Sequence, residues 1–152
     1  MKPAPYNFPR ITSGLHYRDA AKMIDWPCAA FGFEVRLKVD DGKGGIAHSE
    51  LTYGEGVIMV GSERDDERSR RWGVPMSSPV SVGGANTQGL MVHVDDCDAH
   101  CEHARKAGAR IIDEPALHDY GEEYWADRSY GAVDPEGHMW WFTQRVRDPK
   151  KK

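Results

Sequence analysis

The chain has 152 residues, enough for one domain or for two half-size modules sharing a core. It is 39% hydrophobic and 29% charged, with a net charge of −4. That profile excludes the long apolar run of a membrane helix and the basic footprint of a nucleic-acid binder. Residues 1–9 lack the apolar core of a secretory signal, which makes the cytoplasm the expected location. Cys28, Cys97 and Cys101 form an odd set without the spacing of a disulfide-stapled mini-protein, so reduced thiols are expected.

Residues 1–10 read as an N-terminal extension, and residues 11–17 predict a short strand. A helix follows from Asp19, with Ala20, Met23, Ile24, Cys28 and Phe31 at helical spacing. Pro27 predicts a kink or a broken last turn, and Gly32 the helix stop. Residues 33–39 predict a strand carrying Phe33, Val35, Leu37 and Val39 on one face. Two more strands, at 46–53 and 57–61, are joined by the tight Gly54-Glu55-Gly56 turn. Residues 11–61 thus spell a βαβββ module.

Residues 62–87 are charged at first and then rich in Gly, Pro and Ser, which predicts a linker, a lid or partly disordered chain. The same grammar then repeats. A strand over 90–94 leads to a helix over 96–107 that Gly108 stops, and strands follow at 110–117, 124–133 and 138–146. Residues 88–146 form the second module, and 147–152 a charged tail whose Lys150, Lys151 and Lys152 are expected to be solvated. One shift of register carries His16 onto His93 and Asp19 onto Asp96, which a duplicated module explains.

Three segments carry a family likeness. They are Ala30-Phe31-Gly32-Phe33-Glu34, then Val94-Asp95-Asp96 with Ala107-Gly108-Ala109, and Asp134-Pro135-Glu136-Gly137-His138-Met139-Trp140-Trp141-Phe142. With the βαβββ order they resemble the glyoxalase/bleomycin-resistance/dioxygenase (vicinal oxygen chelate) superfamily over nearly all of residues 11–146. The metal-poor, bleomycin-resistance-like branch is the most similar. The resemblance implies an α+β fold, two βαβββ modules whose sheet curls around a cavity. It also implies a homodimer, with pockets at a module or subunit interface.

In metal-dependent relatives, the resemblance implies, the first and last strand of each module supply a ligand. By register those positions fall near Thr12, Met59, Gly89 and Trp141. None is an imidazole or a carboxylate, the donors that a hard or borderline divalent cation needs. The expectation is therefore no metal and no cofactor.

Alternation along the strands groups Thr12, Gly14 and His16 on one face, as it does Gly89, Met91 and His93, and Met139, Trp141 and Thr143. His16 and His93 then reach the cavity, either to exchange protons with a ligand or simply to hydrogen-bond at its edge. His48 and Glu50 form a second pair two residues apart, a candidate base with its neighbour or an outward-facing surface pair. Trp72, Tyr124, Trp125, Tyr130, Trp140 and Trp141 supply aromatic walls suited to a flat apolar or conjugated molecule, although one of Trp140 and Trp141 must be core. Cys97, His100 and Cys101 share a helical face, yet that stripe also has to pack on the sheet, and core is the expected role.

The expected ligand-binding set is Thr12, His16, His48, Glu50, Met59, Trp72, Met91, His93, Trp125, Tyr130 and Trp141. The expected function is metal-free sequestration of a small aromatic or antibiotic-like molecule between the modules, without nucleic-acid or membrane partners. Two enzyme alternatives stay open. One is a metal-free isomerase or lyase with Glu50 or His48 as base; the other is a metal-dependent lyase or dioxygenase using His16, His48, Glu50 and His93.

Overall fold

The computed structural model describes residues 1–150, so Lys151 and Lys152 of the basic tail lie outside the described residues. The chain divides into two compact units, Met1–Ala85 and a second from Asn86 onward. Each is a βαβββ module with a mixed four-stranded sheet and a helix packed on one of its faces. Neither sheet closes on itself. Among the described residues no helix is long and apolar enough to cross a membrane.

In the first unit the elements are β1 (Ser13–Tyr17), α1 (Ala20–Phe31), β2 (Glu34–Asp40), β3 (Ile46–Tyr53) and β4 (Gly56–Ser62), in sheet order β1-β4-β3-β2. β1 and β4 run parallel, which a crossover such as α1 makes possible, and the other pairs are antiparallel hairpins. The Asp19 side chain caps α1 by accepting from the Lys22 amide at 3.2 Å, and Gly32 closes it in the left-handed region. Ala20, Met23, Ile24 and Phe31 bury the helix against Leu15, Tyr17, Leu51 and Val60. Burying a side chain of that size contributes about 1.5–3 kcal/mol.

Two local expectations change. The helix runs unbroken through Pro27, whose ring is a fully buried core side chain and so recovers part of what the missing amide costs. Leu37 and Val39 do not share the face of Val35 and buried Phe33. A bulge at Arg36 sets Val35 opposite Leu51, on the core side, but Leu37 opposite Glu50, on the other.

The 62–87 stretch carries structure of its own. A short helix α2 (Glu67–Trp72) sits between an Asp66 cap, which accepts from the Ser69 amide at 2.8 Å, and Gly73 in the left-handed region. Arg64 and Met76 bridge across its base, with Arg64 N–H donating to the Met76 carbonyl at 2.7 Å. A single 3-10 turn follows at Pro79–Val82.

The second unit repeats the order: β5 (Gly89–His93), α3 (Cys97–Lys106), β6 (Arg110–Asp119), β7 (Ala126–Val133) and β8 (Met139–Arg147), arranged β5-β8-β7-β6. Asp96 caps α3 through the Ala99 amide at 2.9 Å, the counterpart of Asp19 on α1. Cys97, Cys101 and Ala104 are buried along α3, and Tyr130, Trp140 and Phe142 are the large buried side chains of this unit's sheet. The Asp134-to-Gly137 turn is structural. Asp134 accepts from the Glu136 and His138 amides, each at 3.0 Å, and its other oxygen accepts from the Trp140 indole at 3.1 Å. One buried carboxylate thus ties the turn to the core.

Candidate functional site

The face of the first sheet turned away from α1 holds the alternate residues of its strands. Gly14 and His16 stand there on β1 opposite Met59 and Gly61 on β4, and Met59 pairs in turn with Glu50 on β3. Gly14, His16, His48 and Met59 line one side of a cavity of about 340 Å³. Arg64, Arg68, Trp72 and Met76, from α2 and its flanks, line the other. Arg64 is fastened to the sheet by donating from Nη2 to the Ala47 carbonyl at 3.0 Å. The Arg68 guanidinium lies 4.3 Å from the Trp72 ring centroid, a cation–π stack, and Trp72 is itself 53% exposed.

Glu50 stands behind His48. One of its oxygens contacts His48 Nε2 at 3.1 Å, and the other the Arg36 Nε at 3.1 Å, with the carboxylate side chain 12% exposed. Arg36 also donates to the Asn7 carbonyl and lies 5.3 Å over the Phe8 ring, so the N-terminal extension is tied to the same network. A neutral His48 that donates from Nε2 to Glu50 keeps Nδ1 as an acceptor. The arrangement fixes an imidazole at the cavity wall.

The second unit has an open face of its own. Trp141 pairs with Met91, which is 66% exposed, and His93 pairs with Thr143. Trp125, at the mouth of the β6–β7 hairpin, sits 5.2 Å from the Tyr120 ring and 5.6 Å below the Arg145 guanidinium. Tyr130 is not on this face. It is fully buried beneath α3, stacked on Phe142 at 5.1 Å, with its hydroxyl 2.7 Å from His100 Nδ1. Strand parity explains the difference, because Tyr130 is one residue out of step with Gly131, whose partner is Trp141. Thr12 precedes β1, and its hydroxyl oxygen is buried without a hydrogen-bond partner.

Of the residues expected from sequence, His16, His48, Met59 and Trp72 therefore meet around one cavity, with Glu50 supporting them. Met91, His93, Trp125 and Trp141 belong to the other unit. Arg64, Arg68, Met76 and Arg36 were not anticipated. The signal for the lining arginines was the capped helix itself, since Asp66, Ser69 and Gly73 stand at cap spacing around the charged run.

The donor set does not fit the divalent metal of the metal-dependent relatives. Thr12, Met59, Gly89 and Trp141 offer no imidazole or carboxylate, and a Cβ at Gly89 would meet the Trp141 indole at 3.7 Å. Among the described residues no group of three or more His, Cys, Asp or Glu side chains is gathered to hold a metal ion. Cys97 and Cys101 are buried core thiols, and burial pushes the Cys97 thiol up to about 11.

Comparison with known proteins agrees with this architecture. A family model described as the glyoxalase/bleomycin resistance protein/dioxygenase superfamily matches residues 10–142. The uncharacterized protein Rv0887c of Mycobacterium tuberculosis (strain H37Rv) is 32% identical over 141 residues, spanning 92% of this chain and 76% of the relative. The crystal structure of TioX from Micromonospora sp. ML1 is similar at a TM-score of 0.63 and 30% identity, covering 90% of this chain and 95% of that one. TnmS3, an antibiotic binding protein from Streptomyces sp. CB03234, shares the fold at a TM-score of 0.62 and 17% identity, over 89% of this chain and 93% of that one. The chain belongs to the glyoxalase/bleomycin resistance protein/dioxygenase superfamily.

Proposed function

We propose that the protein binds and sequesters a small, flat aromatic molecule in the cavity of its first unit, without a metal and without turning the ligand over. The observation that carries this reading is Trp72, held on α2 over a cavity whose opposite wall is Gly14, His16, His48 and Met59. A half-exposed indole facing a thioether and two imidazoles is a surface on which an aromatic ring can stack. The volume of about 340 Å³ lies at the small end of ligand pockets, which suits a few fused rings rather than a large peptide. The antibiotic-binding description of TnmS3, a protein of the same fold, is consistent with sequestration. On this reading the protein works in the cytoplasm as a homodimer.

A second reading rests on the 3.1 Å contact between His48 and Glu50, which an isomerase or lyase could use as a base with its partner. The Arg36 ion pair on the remaining Glu50 oxygen favours an orienting role for the carboxylate instead.

Titration of tryptophan fluorescence with neutral 2-naphthalenemethanol tests binding. Saturable quenching that Trp72→Phe abolishes, with the probe recovered chemically intact, is the expected result. Quenching unaffected by that substitution would place the probe elsewhere and sink the assignment. Native mass spectrometry reads the remaining points, a dimer whose mass is unchanged by excess zinc, nickel or iron being expected. Stoichiometric metal would overturn the metal-free reading.

A further inference from the structure

We infer that the ligand of this cavity is an aromatic anion, a ring system bearing a carboxylate or phenolate; this rests on the binding function proposed above. The charged and titratable side chains lining the cavity are Arg64, Arg68, His16 and His48, and no carboxylate lines it. A locally positive wall in a chain of net charge −4 runs against the overall balance, which makes it a selective feature of the site.

The neighbouring carboxylates are committed elsewhere. Glu50 is paired with Arg36 and His48, and Asp65 with Arg70 at 3.2 Å. Asp66 caps α2, and Glu63 is held below the usual carboxylate range first by the Ser81 hydroxyl and then by the Ser78 amide, which donates to it at 3.1 Å. Among the described residues neither Arg64 nor Arg68 stands in an ion pair. Asp66, whose carboxyl the Ser69 amide holds below the usual range, lies close enough for both charges to help, yet it forms an ion pair with neither guanidinium.

The geometry also couples charge to ring. Arg68 lies over the Trp72 ring, so the guanidinium and the indole are held together at one side of the cavity. A ligand ring packed against that pair brings its acidic substituent within reach of a guanidinium, whose planar fork matches a carboxylate. Arg64, tethered through Ala47, is held in place before any ligand arrives.

Three probes with one ring system separate the possibilities: 2-naphthoate, 2-naphthalenemethanol and 2-naphthylmethylammonium, each titrated against the full chain by tryptophan quenching. The naphthoate is expected to bind about tenfold more tightly than the alcohol, as one charge-assisted hydrogen bond in a half-open site supplies. That gap should narrow at about 0.5 M salt, where screening weakens it. Arg68→Gln should abolish the preference, weakening naphthoate about tenfold more than the alcohol, and Arg68→Lys should keep part of it. Equal binding of all three, a preference for the ammonium, or equal loss of naphthoate and alcohol in Arg68→Gln would overturn the inference while leaving an aromatic site. Failure of all three to bind would overturn the binding function itself, and the inference with it.

Discussion

Gly131 and Trp141 pair across β7 and β8, and the Trp141 ring lies over the glycine so closely that a Cβ built on residue 131 would stand 3.1 Å from its Cζ3. Ile112 crowds the same point at 3.2 Å. The glycine is there for space, and it sets how the indole sits on the open face of the second unit.

Gly131→Val should therefore displace the Trp141 ring and cost about 1–3 kcal/mol, the usual penalty for forcing extra methyl groups into packed surroundings. Gly131→Ala should cost less, because its neighbours need to yield only slightly. Denaturant unfolding gives the stability change, and near-UV circular dichroism reports the indole. A valine variant with wild-type stability and an unchanged spectrum would show that Trp141 does not rest on residue 131.

The Arg36–Glu50–His48 chain separates support from catalysis. Glu50→Ala strands a half-buried guanidinium and should destabilise the fold by about 1–3 kcal/mol, whereas Glu50→Gln keeps the shape and half of the hydrogen bonding and should cost less. On the binding reading, Glu50→Gln retains ligand affinity to within a fewfold. If instead a ligand is converted by the wild type, and Glu50→Gln abolishes conversion with binding intact, the carboxylate is a base and the enzyme reading replaces sequestration. Parallel titration and product analysis on the same variant decide between them.

The module repeat was legible because its marks are local. Asp19 and Asp96 stand at equivalent positions and make the same bond to an amide three residues on, a relation that sequence register exposes directly. Strand parity likewise grouped Gly14 with His16 on the cavity face, since a period of two survives any uncertainty in strand ends, but it left the face of His48 and Glu50 open. What escaped depended on single-residue events. The bulge at Arg36 separates Leu37 from Val35, and the one-residue phase of Tyr130 moves it beneath α3. A lid was among the readings of residues 62–87, but the helix in it escaped, because a charged, glycine-rich stretch shows no hydrophobic period, and α2 is set by its caps and by the Arg64–Met76 bridge rather than by a buried face.

The ends of β6 and β8 are joined by Asp119 and Arg147, whose two contacts measure 2.6 and 3.0 Å, while the Gly121 amide donates to the same carboxylate at 2.8 Å. The Arg147 guanidinium first, and the Gly121 amide second, hold the Asp119 carboxyl down at about 2, below its ordinary value of 3.8. A lowered folded-state value means that the unfolded chain takes up the proton first. The stabilisation is thus complete above about pH 4 and is lost as pH falls through about 2. Both side chains are substantially exposed, so screening keeps the effect small. Asp119→Asn should lower the melting temperature by roughly 1–3 °C at neutral pH. Melts of the two proteins recorded side by side from pH 6 down to pH 2 should show that gap closing, since protonation removes from the wild type what the substitution has already removed. A gap that stays constant to pH 2 would mean that the asparagine acts through lost packing or altered turn geometry, and that the Arg147 charge is not what holds the hairpin to the last strand.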